Sequence, residues 1–292
     1  MMHEIKFSVI IPVYNREMRI GNAIRSVLEQ QYGNFEVVVV DDGSTDKTAE
    51  AVKAFADPRV KYIFQQNRER AAARNTGIHH STGDYITFLD SDDEFLPAHL
   101  QTTNEFIAAH PSYEVFCTSF RVVSETKTII NIMPDDIRSK LIGENFLSCN
   151  GVFLSAKIAG QYLFNEERMM SGLEDWELWL RIAAVNKMAG NKTITTQMNN
   201  HEDRSVLQTT RENIEERFES FYRYVLMNPD INSFYKKKMH VLKAGCETYI
   251  ALHLALTKKY RGFALKHLLR GICYSPAIIF KRRFYAILKR IL

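Results

Sequence analysis

Residues 35–40 read Phe-Glu-Val-Val-Val-Val. A run this rich in β-branched side chains leaves no wet face, so it predicts a central strand of a parallel sheet, covered on both sides. Parallel neighbours must be reached through long crossovers, usually helices, and the chain supplies them. Phe7 to Ile11 (FSVII) is a shorter apolar run, stopped by Pro12, which cannot donate to a sheet ladder. Between the two runs, Ile20, Ala23, Ile24, Val27 and Leu28 recur at helical spacing within Glu17 to Gln31, one stripe turned toward a sheet. Further on, Gly43 permits a sharp turn and Ser44 or Thr45 caps a helix from Thr48 to Phe55. Val60 to Phe64 is a third strand, a helix spans Ala71 to His79 and stops near Gly83, and Tyr85 to Leu89 is a fourth strand. This alternation predicts an α/β fold: a Rossmann-like, mostly parallel sheet flanked by helices, its right-handed crossovers placing the carboxyl ends of the strands along one edge.

Ligands bind at that edge. Pro12 to Asn15, Asp41 to Ser44 and Asp90 to Asp93 each follow a strand, so three polar segments far apart in sequence are predicted to meet. The third lies in FLDSDDE, residues 88–94. Carboxylates packed this closely repel and raise one another's pKa. The cluster suits a hard divalent ion, Mn or Mg, which takes one or two protein carboxylates and fills its shell with water and diphosphate oxygens. A solvated acidic turn is the ordinary alternative for a lone D-x-D, and the registration of three turns with successive strands argues against it. A dinucleotide-binding turn is excluded, because PVYNREMRIG has no G-x-G-x-x-G and Tyr14, Asn15 and Arg16 are too bulky for a pyrophosphate to approach the backbone.

At 292 residues the chain exceeds one compact domain, and two regions are predicted: an α/β domain over 1–210 and a helical C-terminal extension over 211–292. Cys117, Cys149, Cys246 and Cys273 show neither C-x-x-C nor Cys/His spacing, which argues against zinc and a disulfide framework and fits a reducing cytoplasm. MMHEIKFSVIIP lacks the pattern of a signal peptide, and no apolar run approaches the ~18 residues of a spanning helix. From Lys258 to the end there are ten Lys or Arg and no acid, whereas the preceding residues hold 28 bases against 34 acids. The two parts therefore face different partners.

SVIIPVYNRE, VVVVDDGSTDKT, AAARNTG, YITFLDSDDEF and GLEDWELWLRI, in this order, resemble the motifs of family 2 glycosyltransferases with the GT-A fold, a match covering about residues 7–182. The resemblance implies that the segment at Pro12, Tyr14 and Asn15, together with Asp41, holds the uracil or ribose of a nucleotide-sugar, with Arg74 near the same nucleotide. It makes Asp90, Ser91 and Asp92 the D-x-D that touches ribose and metal, and Asp175 the catalytic base. Many relatives carry a histidine near the position of His201, where a neutral imidazole is a third metal ligand; a loop histidine exposed to solvent is the alternative. Two departures stand out. Arg68 and Glu69 occupy positions where members often have glycines, and Leu163-Phe164-Asn165-Glu166 replaces the usual G-x-F-D-E.

The residues support these roles by their chemistry. As a glycosyl diphosphate breaks its C1–O bond, charge builds on the β-phosphate, and a cation on Asp92 offsets it. The attacking hydroxyl must lose a proton, and Asp175, opening an amphipathic helix whose Trp176, Trp179, Leu180 and Ala183 share a stripe, is the candidate acceptor. Acids also favour the first turn of any helix, and Glu174 is the second candidate. Residues 98–173 are assigned to the acceptor side, a glycan or lipid-linked sugar, with no legible chemistry.

Near the C-terminus Leu265, Leu268, Leu269 and Ile272 form one apolar stripe, and Phe284, Ile287, Leu288 and Ile291 another, on helices studded with Lys and Arg. Such helices lie on an anionic membrane surface at the inner face of the plasma membrane, or pack on the catalytic domain or a second subunit of a homo-oligomer. Nucleic acid is disfavoured, since the basic segment has no recognition motif. The expected activity is inverting transfer of a hexose or N-acetylhexosamine from a nucleotide diphosphate, UDP by preference. The alternatives are a sugar-phosphate nucleotidyltransferase, which would need a Gly-rich phosphate loop after the first strand, and a non-catalytic nucleotide-sugar-binding module.

Overall fold

The computed structural model describes residues 4–200, 210–257 and 259–292. Its strands are β1 (Phe7–Val13), β2 (Phe35–Asp41), β3 (Val60–Phe64), β4 (Tyr85–Phe88), β5 (Glu94–Phe95), β6 (Val115–Ser124), β7 (Lys127–Asn131), β8 (Val152–Ser155) and β9 (Ala189–Asn199). The helices are α1 (Ile20–Leu28), α2 (Thr48–Lys53), α3 (Glu69–His80), α4 (His99–Ala109), α5 (Ile137–Leu141), α6 (Ala156–Gln161), α7 (Glu174–Val185), α8 (Arg211–Met227), α9 (Pro229–Tyr235), α10 (Met239–Leu256), α11 (Arg261–Tyr274) and α12 (Arg282–Ile291). Two compact units alternate along the chain. One comprises Met1–Ile137, Phe146–Glu166 and Asn186–Glu202; the other comprises Arg138–Asn145, Glu167–Val185 and Asp203–Leu292.

The first unit is built on a sheet ordered β3-β2-β1-β4-β8-β6-β9-β5, with β7 paired to β6. β1, β2, β3 and β4 are parallel, as the alternation of elements predicts. β2 is buried along its whole length between β1 and β3. Phe7, Val9 and Ile11 pack with Ile20, Ala23, Ile24 and Val27 of α1, each of these side chains larger than alanine worth roughly 1.5–3 kcal/mol when fully buried. The opposite face takes α3, whose Gly77 lies so near β1 that a Cβ there would meet Ile10 at 2.3 Å. Glu36, the acid near the start of the valine strand, is buried but engaged by Ser8, Lys61 and Thr82, which hold its carboxyl down at about 2 against the effect of burial.

One expectation needs correcting. β1 does not stop at Pro12 but runs through it to Val13. The Ile10 carbonyl accepts from Leu89, so Pro12, two residues on, turns its missing N–H to the same side. The pairing of β1 with β4 has ended by then at Ile10↔Phe88, and no ladder bond is lost.

The second unit is helical. α7 is buried nearly all round, so its core face is wider than the single stripe of Trp176, Trp179, Leu180 and Ala183. Trp176 stacks on Phe221 of α8 with ring centroids 4.7 Å apart, and its Nε1 donates to the Leu141 carbonyl at 2.8 Å. The apolar stripe of α12 turns inward, with Ile287 buried and Phe284, Leu288 and Ile291 half-buried against α10 and α11. The stripe of α11 divides: Leu268 is buried, whereas Leu265 and Leu269 are 41% and 53% exposed beside Lys266 and Arg270. Among the described residues no helix is long and apolar enough to cross a membrane.

Candidate active site

Within the first unit, the ends of β1, β2 and β4 carry the three polar segments picked out by the sequence. Past β1, Tyr14 is exposed and Asn15 takes a left-handed backbone with φ +50°. Asn15 ties this end to the turn after β2, since its N–H donates to Ser44 Oγ (2.9 Å) and its Oδ1 accepts from Thr45 N (2.8 Å). Pro12 is buried one residue inside the strand end. Asp41 is also buried, with Oδ1 accepting from Ser44 N (2.8 Å) and Oδ2 from the Tyr62 hydroxyl (2.7 Å). Burial and then the Asp41 carboxylate push the Tyr62 phenol up. Asp42 accepts from Gln65 and from Arg68 N, and burial pushes its carboxyl up. The turn between needs glycine: Gly43 has φ +83°, and a Cβ would sit 2.9 Å from Asn67 N.

α3 follows β3. Its first residue, Glu69, holds φ +72°, a left-handed conformation that glycine adopts freely. The departure from glycine thus leaves the backbone in the form a glycine would take. Arg74 is buried on this helix, with Nη2 2.9 Å from Asp90 Oδ1 and the guanidinium carbon 5.2 Å from the Phe164 ring. Asn75 accepts from Phe164 N (2.8 Å) and donates to Phe164 O and Glu166 Oε1 (both 2.9 Å), while Arg68 pairs with the other oxygen of Glu166. The Leu163–Glu166 segment is thereby stapled to α3.

The acidic turn begins one residue after β4. Ser91 and Asp93 are buried, whereas Asp90 and Asp92 are half-buried. Asp93 accepts from Asn199 N (2.8 Å) and Asn150 Nδ2 (2.7 Å). Burial, then the charges of Asp90 and Asp92, push its carboxyl up to about 8 against those two bonds. Among the described residues no three His, Cys, Asp or Glu side chains form a cage for a metal. An oxygen-only pair at Asp90 and Asp92 nonetheless fits Mn or Mg, which draw most of their ligands from water and phosphate.

Asp175 belongs to the second unit, at the second position of α7. Its Oδ2 accepts from Asn145 Nδ2 (2.9 Å), and the Asn145 carbonyl accepts in turn from the Tyr249 hydroxyl (3.3 Å). Glu174 is buried and accepts from Gly172 N. His201 lies outside the described residues. Sequence reasoning did not single out Asn75, Asn150 and Asn199, whose segments carry no charge cluster to mark them, and it named Phe164 only within the departing Leu163–Glu166 segment.

The family model described as Glycosyl transferase family 2 matches residues 8–160. An uncharacterized glycosyltransferase of Rickettsia felis is 36% identical over 200 residues, 65% of this chain and 32% of that protein. The chain thus spans about a third of the length of such Rickettsia relatives. The UDP-Glc:alpha-D-GlcNAc-diphosphoundecaprenol beta-1,3-glucosyltransferase WfgD of Escherichia coli is 30% identical over 191 residues, 64% of this chain and 74% of that protein. Among solved structures, S. aureus TarS 1–349 in complex with UDP-GlcNAc superposes with a TM-score of 0.71 at 20% identity, covering 98% of this chain and 88% of that one. The mannosyltransferase PcManGT of Pyrobaculum calidifontis with GDP-Man and Mn2+ gives 0.60 at 17% identity, covering 99% and 86%. The fold is that of such GT-A-like structures.

Proposed function

The chain belongs to glycosyl transferase family 2, and from that premise we propose that it transfers a hexose or N-acetylhexosamine from a nucleotide diphosphate, UDP by preference, to a sugar hydroxyl of a glycan or lipid-linked acceptor, with inversion at C1. The observation that carries this reading is the convergence of the turns after β1 and β2, bonded to each other through Asn15, Ser44 and Thr45, with the acidic turn after β4 along one edge of the sheet. In this reading Pro12, Tyr14, Asn15 and Asp41 receive the base and ribose. Arg74 orients Asp90, and Ser91 lies between Asp90 and the cation-binding Asp92. A divalent cation, Mn or Mg, supplies Lewis-acid stabilisation of the leaving diphosphate.

Asp175 accepts the proton of the acceptor hydroxyl as it attacks, and Asn145 fixes the direction of its carboxylate. One base and one direct attack give a single displacement, hence inversion. The names of the E. coli and S. aureus relatives, which concern UDP-sugars, support UDP as the nucleotide. The exposed Leu265 and Leu269, on a helix within a segment of ten bases and no acid, support docking of the C-terminal helices on an anionic membrane at its cytoplasmic face. The reading is tested with a panel of UDP-, GDP- and dTDP-sugars, scored for nucleotide release with and without Mn. Release of pyrophosphate instead indicates a nucleotidyltransferase, and binding without release a non-catalytic module.

A further inference from the structure

Two asparagines from segments that arrive much later in the chain hold the acidic turn in shape. Asn150 is fully buried in the tight turn Cys149–Gly151 that leads into β8, and β8 lies beside β4 through Thr87↔Phe153. Its Oδ1 accepts from Asp90 N at 2.9 Å and its Nδ2 donates to Asp93 Oδ2 at 2.7 Å. Asn199, the last residue of β9, donates its N–H to Asp93 Oδ1 (2.8 Å) and its Nδ2 to Asp92 O (3.0 Å) and Glu94 Oε1 (3.2 Å). The turn also closes on itself, Asp93 N donating to Asp90 O at 3.0 Å.

From this arrangement we infer that Asn150 is a positioning residue for the donor site: its amide clamps Asp90 N and the Asp93 carboxylate, and so sets the spacing and direction of the Asp90 and Asp92 side chains. The inference rests on the reading of this turn as the nucleotide and cation site. The chemistry of the clamp is specific. A backbone N–H can only donate, so Oδ1 must face Asp90 and the amino group must face Asp93. Aspartate at 150 offers two acceptors and sets a second carboxylate against Asp93. Alanine removes both bonds, the one from Asp90 N and the one to Asp93 Oδ2. Asp90 and Asp92 are two residues apart on one short turn, so slack at either end of it displaces both carboxylates.

The experiment measures UDP affinity by calorimetry in the presence of Mn, on full-length protein whose fold is checked by circular dichroism. Asn150→Asp opposes two carboxylates, and Asp93→Asn opposes two amino groups; each is expected to weaken UDP binding about tenfold or more, the worth of a lost buried polar contact. The double variant N150D/D93N exchanges donor and acceptor across the contact, keeps the net charge, and still offers oxygens to Asp90 N and Asn199 N. It is expected to recover affinity to within about threefold of the wild type, the non-additivity that marks a direct pair. Wild-type affinity in folded Asn150→Asp overturns the positioning role, as does a folded double variant that binds as poorly as the single variants. If neither single variant folds, the double variant decides by binding or failing to bind. Wild-type protein that binds no UDP overturns the reading of the site, and this inference with it.

Discussion

Arg74 Nη2 lies 2.9 Å from Asp90 Oδ1, and the arginine side chain is 3% exposed while the aspartate side chain is 34% exposed. The pair thus joins a charge removed from water to one that still faces it. Removing the arginine takes away this ion pair and the cation over the Phe164 ring. Arg74→Met is expected to cost ~1–3 kcal/mol in urea unfolding, below the range for a fully buried pair because Asp90 is partly solvated. UDP affinity is expected to fall about tenfold, and Arg74→Lys to recover the stability better than the affinity, since a lysine lacks the planar fork. Undiminished UDP affinity in folded Arg74→Met removes Arg74 from the donor site.

Asp92→Asn tests the cation. The side chain is half-buried at a strand end, outside the apolar core, so the fold is expected to survive while Mn-dependent UDP binding and transfer are lost. A manganese titration followed by UDP binding reads this directly, and an unchanged midpoint excludes Asp92 as a ligand.

Asp175→Asn tests the base. The amide retains an oxygen for Asn145 Nδ2 and loses the ability to take a proton. Turnover is expected to fall ~10² or more, in kcat rather than KM because the missing interaction belongs to the transition state. Near-normal turnover shifts the role to Glu174. Retention of the donor's anomeric configuration in the product would falsify single displacement altogether.

The outward face of α11 tests membrane docking. Leu265 and Leu269 are exposed, so replacing both with serine is expected to leave the thermal midpoint in place while abolishing co-sedimentation with anionic vesicles at low salt. Wild-type protein that ignores those vesicles sinks the idea.

His267 gives a pH dependence to the helical unit. Its Nδ1 lies 2.6 Å from Glu247 Oε2 on α10 and its Nε2 3.0 Å from Glu215 Oε1 on α8, with Arg211 and Lys243 on those same helices and Lys266 on its own also lining the cavity beside it. Burial lowers the imidazole pKa, but the two carboxylates outweigh it and the net shift is upward. The folded pKa therefore exceeds the unfolded one. The stabilisation is complete below the unfolded value near 6.5 and is lost as pH rises through the folded value. Urea midpoints of the wild type are expected to decline across that alkaline window relative to His267→Gln, and parallel pH curves for the two proteins exclude the pairing of His267 with Glu215 and Glu247 as its source.

The parallel half of the sheet was readable because burial on both faces leaves a plain trace: Val37 to Val40 have no polar partner to accommodate, and Val60 to Phe64 has the predicted bounds. Pro12 misled because its cost depends on where β4 stops, a tertiary fact. Asp90 and Asp92 were legible as charge at a strand end. Asp93, identical in kind, proved to be buried, and nothing local distinguishes it; its environment is made by Asn150 and Asn199. The stripes of α11 and α12 were visible as periodicity, but which side meets protein depends on α10.

The separation between the acidic turn and its two clamps also orders events in time. Asp90 waits 60 positions for Asn150, and Asp93 waits 106 for Asn199. A chain made from its N-terminus at ~5–20 residues per second exposes all of β1 to β4 several seconds before β9 exists. The early sheet can assemble from near neighbours, whereas the pairing of β6 with β9 must close a long loop and is correspondingly slow. Until then Asp93 lacks the Asn199 bond that helps draw it out of water, and the turn is held from the Asn150 side alone. On the proposed reading of this edge, competence to bind a donor is therefore acquired late, when β9 docks, and a nascent chain halted before that point carries an incompletely clamped acidic turn.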